Sequence, residues 1–166
     1  MNKNEVLNIA ESKVRQQLIR SLNRTFSDIT WRGLQLKGYG QVDVAGFSTE
    51  HVYIIEIELK REDPVNNVVK IWRYLVENGS PFLGKDVKFI HAFSSKYLIG
   101  GFLTKRKNAE FIGEKMSESI ANISYYSIDF DSLNSLITQI VEIVKKEEEA
   151  TLKRLAEKMG VKIGYY

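Results

Sequence analysis

The run Val52-Tyr53-Ile54-Ile55-Glu56-Ile57-Glu58-Leu59-Lys60 constrains this chain more than any other. It reads as the most apolar strand of the sequence, yet it carries three charges. Side chains alternate across a strand with period two, so Glu56, Glu58 and Lys60 share one face while Ile57 and Leu59 take the other. Burying carboxylates and an ammonium in so apolar a setting is costly unless they pair or hold a cation. Upstream, Gln41-Val42-Asp43-Val44 sets a further acid in a second strand-like stretch. Two carboxylates on adjacent strands can converge on Mg²⁺, a hard ion that takes oxygen ligands and keeps waters for a substrate phosphate.

The flanking segments complete an α/β chain. From 4 to 26, Val6, Leu7, Ile9, Ala10, Val14, Leu18, Ile19 and Leu22 recur at three and four, which predicts an amphipathic helix with a basic outer face. Residues 29–37, 41–47 and 51–61 read as a meander of three strands, with turns at Gly38-Tyr39-Gly40 and Ser48-Thr49-Glu50. Asp63 is the predicted N-cap of a second helix, with Pro64 at its first position. Its expected apolar face is Val65, Val68, Val69, Trp72, Leu75 and Val76, and Asn78-Gly79-Ser80-Pro81 ends it. A fourth strand over 86–93 follows a helical crossover and should lie parallel. A helix over 102–119, a strand over 123–128 and a long C-terminal helix capped by Asp131 finish the order α-β-β-β-α-β-α-β-α.

This predicts a central mixed sheet flanked by helices in one domain over 1–166, with its core in 4–144. The charged C-terminal helical extension, 145–166, is expected to project into solvent, to bind a second copy, or to fold back.

Composition removes whole classes of chemistry. Without cysteine there is no disulfide, thiolate metal site or cysteine nucleophile. Neither dinucleotide nor phosphate-loop glycine motifs occur, so no nucleotide cofactor is expected, and no Gly-x-Ser-x-Gly supports a hydrolase triad. No apolar run reaches the roughly 18 residues that span a bilayer, and no leader-like segment opens the chain, which predicts a cytoplasmic protein with no membrane partner. His51 and His91 lack ligand spacing, and His91, in an apolar strand, reads as a satisfied core histidine. A net charge of +3 permits a polyanionic partner. Basic residues crowd the first forty positions and recur at Lys105-Arg106-Lys107.

The α-β-β-β-α-β order, with an acid on the second strand and Glu-x-Lys on the third, resembles the PD-(D/E)xK nuclease superfamily of restriction endonucleases, Holliday junction resolvases and repair nucleases. The resemblance covers residues 5–95. It implies a restriction-endonuclease-like fold and a metal-dependent deoxyribonuclease, endonucleolytic and of junction, repair or restriction type. Asp43 and Glu58 then match the acids that bind Mg²⁺, for which Mn²⁺ substitutes, and Lys60 matches the lysine that positions or activates the attacking water. The position before the first acid is Val42 rather than proline.

Glu11, in Ala10-Glu11-Ser12-Lys13-Val14-Arg15, resembles the first-helix glutamate of archaeal Holliday junction resolvases and is a further candidate metal ligand; the alternative is an exposed residue paired with Arg15. Glu56 is either another ligand or an ion-pair partner of Lys70 or Arg73. DNA backbone contacts are expected from Lys13, Arg15, Arg20, Lys70, Arg73, Lys105, Arg106 and Lys107, and a two-fold DNA substrate would suit a homodimer. The rival readings are a catalytically inactive nuclease-like module that binds nucleic acid or protein, and a structural ion-pair network of Glu56, Glu58 and Lys60.

Overall fold

Every residue of the strand His51–Glu58 is buried, which requires a central position in a sheet covered on both faces. This computed structural model describes residues 11–162. Within them the order is α1 (Glu11–Thr25), β1 (Thr30–Leu36), β2 (Gly40–Phe47), β3 (His51–Glu58), α2 (Val65–Glu77), β4 (Asp86–Ser94), a 3-10 turn (Ser95–Leu98), α3 (Gly100–Ser119), β5 (Ile123–Phe130) and α4 (Leu133–Lys158). The strands form one mixed sheet in chain order. β1, β2 and β3 are antiparallel neighbours, whereas β4 runs parallel to β3 and β5 parallel to β4. The chain is therefore α/β, a five-stranded mixed sheet flanked by helices with a long helix at its C-terminal side.

Helical periodicity decides which face each helix covers. Val14, Leu18 and Leu22 of α1 and Leu136, Ile140 and Val144 of α4 pack on Trp31, Tyr53, Ile55, Ile57 and Ile90. Val68, Ile71 and Leu75 of α2 and Ala109 and Met116 of α3 pack on Ile54, Phe89 and Phe93 on the other face. Each such side chain contributes about 1.5–3 kcal/mol by leaving water. Gly46 is needed here, because a Cβ at that position would collide with the Trp31 ring lying across β2.

One irregularity shapes the site. Arg32 pairs with Ala45 and Leu34 with Val42, so Asp43 and Val44 together oppose Gly33. This β-bulge adds one residue to β2 and reverses the alternation. Val42 therefore packs beneath α2 and α3 while Val44, two residues on, packs beneath α1 and α4. The registered pairing of β2 with β3 stops at Val44 opposite Ile55, which opens a seam beside Ile57.

Several predicted boundaries shift for local reasons. Residues 4–10 of the first expected helix lie outside the described residues. β3 ends at Glu58, three residues before its predicted end, and Leu59 and Lys60 form a bend. Asp63 is not the N-cap of α2: that position falls to Pro64, and the Asp63 carboxylate accepts from Asn66 Nδ2. The buried face of α2 includes Asn67 and Ile71, whereas Val69 and Val76 are exposed. Ser132 rather than Asp131 caps α4, its Oγ accepting from the Ser135 amide. α4 continues without a break through 144, and Glu147, Glu148 and Thr151 bind β3, β4 and β5 through Lys88, Tyr126, His51 and Tyr53. No described helix is long and apolar enough to cross a membrane.

Candidate functional site

Asp43 lies where β2 separates from β3. Asp43 Oδ2 accepts the Ile57 amide at 2.8 Å, so the carboxylate takes the hydrogen bond that β2's backbone leaves unmade. Its other oxygen, Oδ1, lies 3.8 Å from Arg15 Nη1 of α1. The bulge thus turns Asp43 into the seam and leaves one of its oxygens largely uncommitted.

Glu58, at the C-terminal end of β3, has no exposed surface. Its Oε1 accepts from Asn67 Nδ2 of α2 at 2.5 Å and lies 2.9 Å from His91 Nε2 of β4. Among the described residues its Oε2 is buried without a hydrogen-bond partner, and Arg61 Nε, on a half-exposed side chain, lies 3.8 Å away. A buried carboxylate oxygen with no donor is unfavourable by the desolvation of a charged acceptor. The two oxygens of Glu58 are therefore unequal, one taken up by Asn67 and His91 and one with Arg61 alone at ion-pair distance among the described residues.

Glu56 lies one step back on the same face. The ion pair with Lys70 that its position suggests is formed, at 2.6 Å, and the ammonium also donates to Gln41 O at 2.7 Å and Asn67 Oδ1 at 3.0 Å. Burial pushes the Glu56 carboxyl up to about 8, the Asp43 charge adds to the rise, and Lys70 opposes it. Glu11, in the first described turn of α1, belongs to the same field. Partial burial raises its carboxyl first, then Asp43, with Glu58 in the same direction and Arg61 and Arg15 against. Four acids from α1, β2 and β3 thus gather around three cations, Arg15, Arg61 and Lys70.

Lys60 and the basic candidates separate into two groups. Lys60 is exposed in the bend after β3 and has no ion pair or hydrogen bond among the described residues. Lys13, Arg20 and Lys107 are exposed as well. Arg15 and Lys70 turn inward to Asp43 and Glu56. Arg73 pairs with Glu77 and lies over the Tyr39 ring, Lys105 pairs with Glu62, and Arg106 joins Glu110 and Asp129. Phosphate contact by this second group would have to compete with, or extend, those pairs.

His91, Asn67, Arg61 and Tyr125 belong to the site without having been singled out for it. His91 reads from sequence as satisfied in the core, and it is; alternation alone does not disclose its partner. The signal was the parallel crossover, which brings Glu56 opposite His91 in β3 and β4. Asn67 could have been suspected as a polar residue on the inward face of a helix that immediately follows the acidic strand. Among the described residues, no three His, Asp or Glu side chains gather closely enough to hold one ion. The carboxylate chemistry nonetheless suits a hard divalent cation, through Glu58 Oε2 and Asp43 Oδ1.

No family model, curated protein or solved structure matches the chain.

Proposed function

We propose that this protein is a metal-dependent deoxyribonuclease that hydrolyses DNA phosphodiester bonds, with Asp43 and Glu58 holding Mg²⁺ or Mn²⁺ and Glu11 as a further ligand. The observation that carries this reading is Glu58 Oε2, a buried carboxylate oxygen with no donor among the described residues, on the strand next to the one that bears Asp43. Bound there, a divalent cation would polarise a phosphate oxygen, acidify a water and stabilise the leaving oxygen. The chain's own residues do the rest. Ile57 N–H and Arg15 hold Asp43 in the seam; Asn67 and His91 hold Glu58. Lys60, exposed two residues beyond Glu58, supplies an ammonium to the scissile phosphate or its attacking water. Lys70, tied to Glu56, limits the charge of the acidic cluster. Lys13, Arg20 and Lys107 contribute sequence-independent backbone attraction, which weakens with salt.

The test is cleavage of labelled duplex, single strand, flap and four-way junction with Mg²⁺, Mn²⁺ or EDTA, beside Asp43→Asn and Glu58→Gln. Cutting that needs the metal and is lost in both variants supports the reading and identifies the substrate. Absence of cutting together with absence of divalent-cation binding overturns it.

A second reading has its own observation. Arg15, Arg61 and Lys70 already compensate much of the acidic charge, as a structural ion-pair network would. On that reading the chain is a nuclease-like module that binds nucleic acid or a partner protein without cutting. DNA retention without metal dependence would favour it.

A further inference from the structure

His91 is the one buried imidazole that touches a proposed metal-binding carboxylate, and the reading above gives it only half a role. Its Nε2 lies 2.9 Å from Glu58 Oε1 and its Nδ1 lies 2.9 Å from Tyr125 Oη on β5. An ionised carboxylate only accepts, so Nε2 carries the hydrogen; in the neutral ring Nδ1 is then an acceptor, and the Tyr125 hydroxyl donates to it.

The ring is also held mechanically. It stacks against Phe89 with centroids 5.5 Å apart and meets Phe93 at 4.3 Å. Tyr125 lies against Gly113 of α3, where any Cβ would run into its ring. Three strands and a helix therefore fix one hydrogen-bond line, Tyr125 to His91 to Glu58. The line ends on Oε1, the oxygen that Asn67 also saturates, and leaves Oε2 without a hydrogen-bond donor among the described residues.

We infer that His91, oriented by Tyr125, is a positioning residue that fixes the Glu58 carboxylate so that Oε2 is presented to the cation. The inference rests on the nuclease reading for the cation itself and goes beyond it in assigning the device that aims the ligand. Outer partners of metal-binding carboxylates act in this way, and losing one lowers metal affinity by about 10–100-fold. A histidine present only to fill the core would not couple to metal affinity.

The experiment is calorimetric titration of Mn²⁺ into the wild-type chain, His91→Leu, His91→Gln and Tyr125→Phe, with circular dichroism to establish folding. The ¹⁵N imidazole shifts of His91 are read on the metal-free wild type. The expected results are a loss of about 10–100-fold in Mn²⁺ affinity for His91→Leu, a smaller loss for Tyr125→Phe, recovery in His91→Gln, whose amide restores a donor, and the Nε2–H tautomer. Unchanged affinity in a folded His91→Leu or Tyr125→Phe, or an Nδ1–H tautomer, overturns this inference and leaves the nuclease reading standing. A wild type that binds no Mn²⁺ overturns this inference, and together with absence of cutting it overturns the nuclease reading as well. Should His91→Leu not fold, Tyr125→Phe and the tautomer still decide.

Discussion

Asp43 and Ile57 are joined by a hydrogen bond that substitutes for sheet pairing: the side-chain Oδ2 accepts the backbone amide at 2.8 Å where β2 has bulged away from β3. The same carboxylate is a proposed metal ligand, so its substitutions must be chosen to separate the two roles. Asp43→Ala leaves a buried amide without an acceptor, which costs about 1–3 kcal/mol. Asp43→Asn keeps a carbonyl acceptor and removes the charge. Urea unfolding should show Ala clearly destabilised and Asn near wild type, while both lose Mn²⁺ binding. Equal destabilisation by the two would mean that charge rather than the amide bond anchors Asp43.

The two lysines near the acids should behave in opposite ways. Lys60 is exposed and makes no ion pair or hydrogen bond among the described residues, so Lys60→Ala should leave stability within about 0.5 kcal/mol of wild type. Lys70→Met removes the donor to Glu56, Gln41 O and Asn67 and leaves Glu56, whose carboxyl burial already pushes up to about 8, to take up a proton, so it should destabilise by about 1–3 kcal/mol. The proposed function adds a second contrast, that Lys60→Ala removes cleavage while the fold is intact. A Lys60 variant that cuts normally would move the catalytic ammonium elsewhere, with Lys70 the nearest alternative.

Much of this architecture is legible in the sequence. The spacing of Val14, Leu18 and Leu22 and the apolar run from Val52 to Leu59 give a helix and a central strand, and the helical crossover gives a parallel β4. The bulge at Asp43 was not legible, because one extra residue leaves composition and alternation looking regular while reversing which face each side chain takes. It explains why Val42 and Val44 part company. The early end of β3 was hidden for a related reason: Leu59 and Lys60 suit a strand, yet no neighbour continues the ladder past Glu58. His91 and Asn67 are long-range partners of Glu58, and only tertiary register brings them to it.

Gly46 tests how tightly the sheet is packed. Gly46→Ala drives a methyl into the Trp31 ring, whose neighbours Phe26 and Tyr53 leave little room to move, with centroids 6.2 and 5.6 Å away. Overpacking of this kind costs about 1–3 kcal/mol. Thermal unfolding should show the loss, accompanied by a change in indole emission. Wild-type stability in Gly46→Ala would mean that Trp31 is free to rotate away.

Acid should release the C-terminal half of α4 from the sheet. Burial pushes the Glu148 carboxyl up, but hydrogen bonds from Tyr53 at 2.6 Å and His51 at 3.0 Å more than offset it and hold the group below its ordinary value. A depressed carboxyl contributes stability that is complete above the unfolded pKa and is lost as pH falls through the folded one, so the contribution declines below about pH 4.3. Tyr53→Phe removes one of the two donors and keeps the ring that packs on Trp31. At pH 7 the variant should be less stable by about 1.5–3 kcal/mol, the range for a hydrogen bond to a charged group. The gap should narrow towards pH 3, where protonated Glu148 no longer favours the bond. Urea unfolding of wild type and Tyr53→Phe across that range, with amide exchange at residues 148–155, measures both parts. A gap that is constant from pH 7 to pH 3 would show that the Tyr53 hydroxyl stabilises α4 without regard to the charge on Glu148, and the acid release would then need another group.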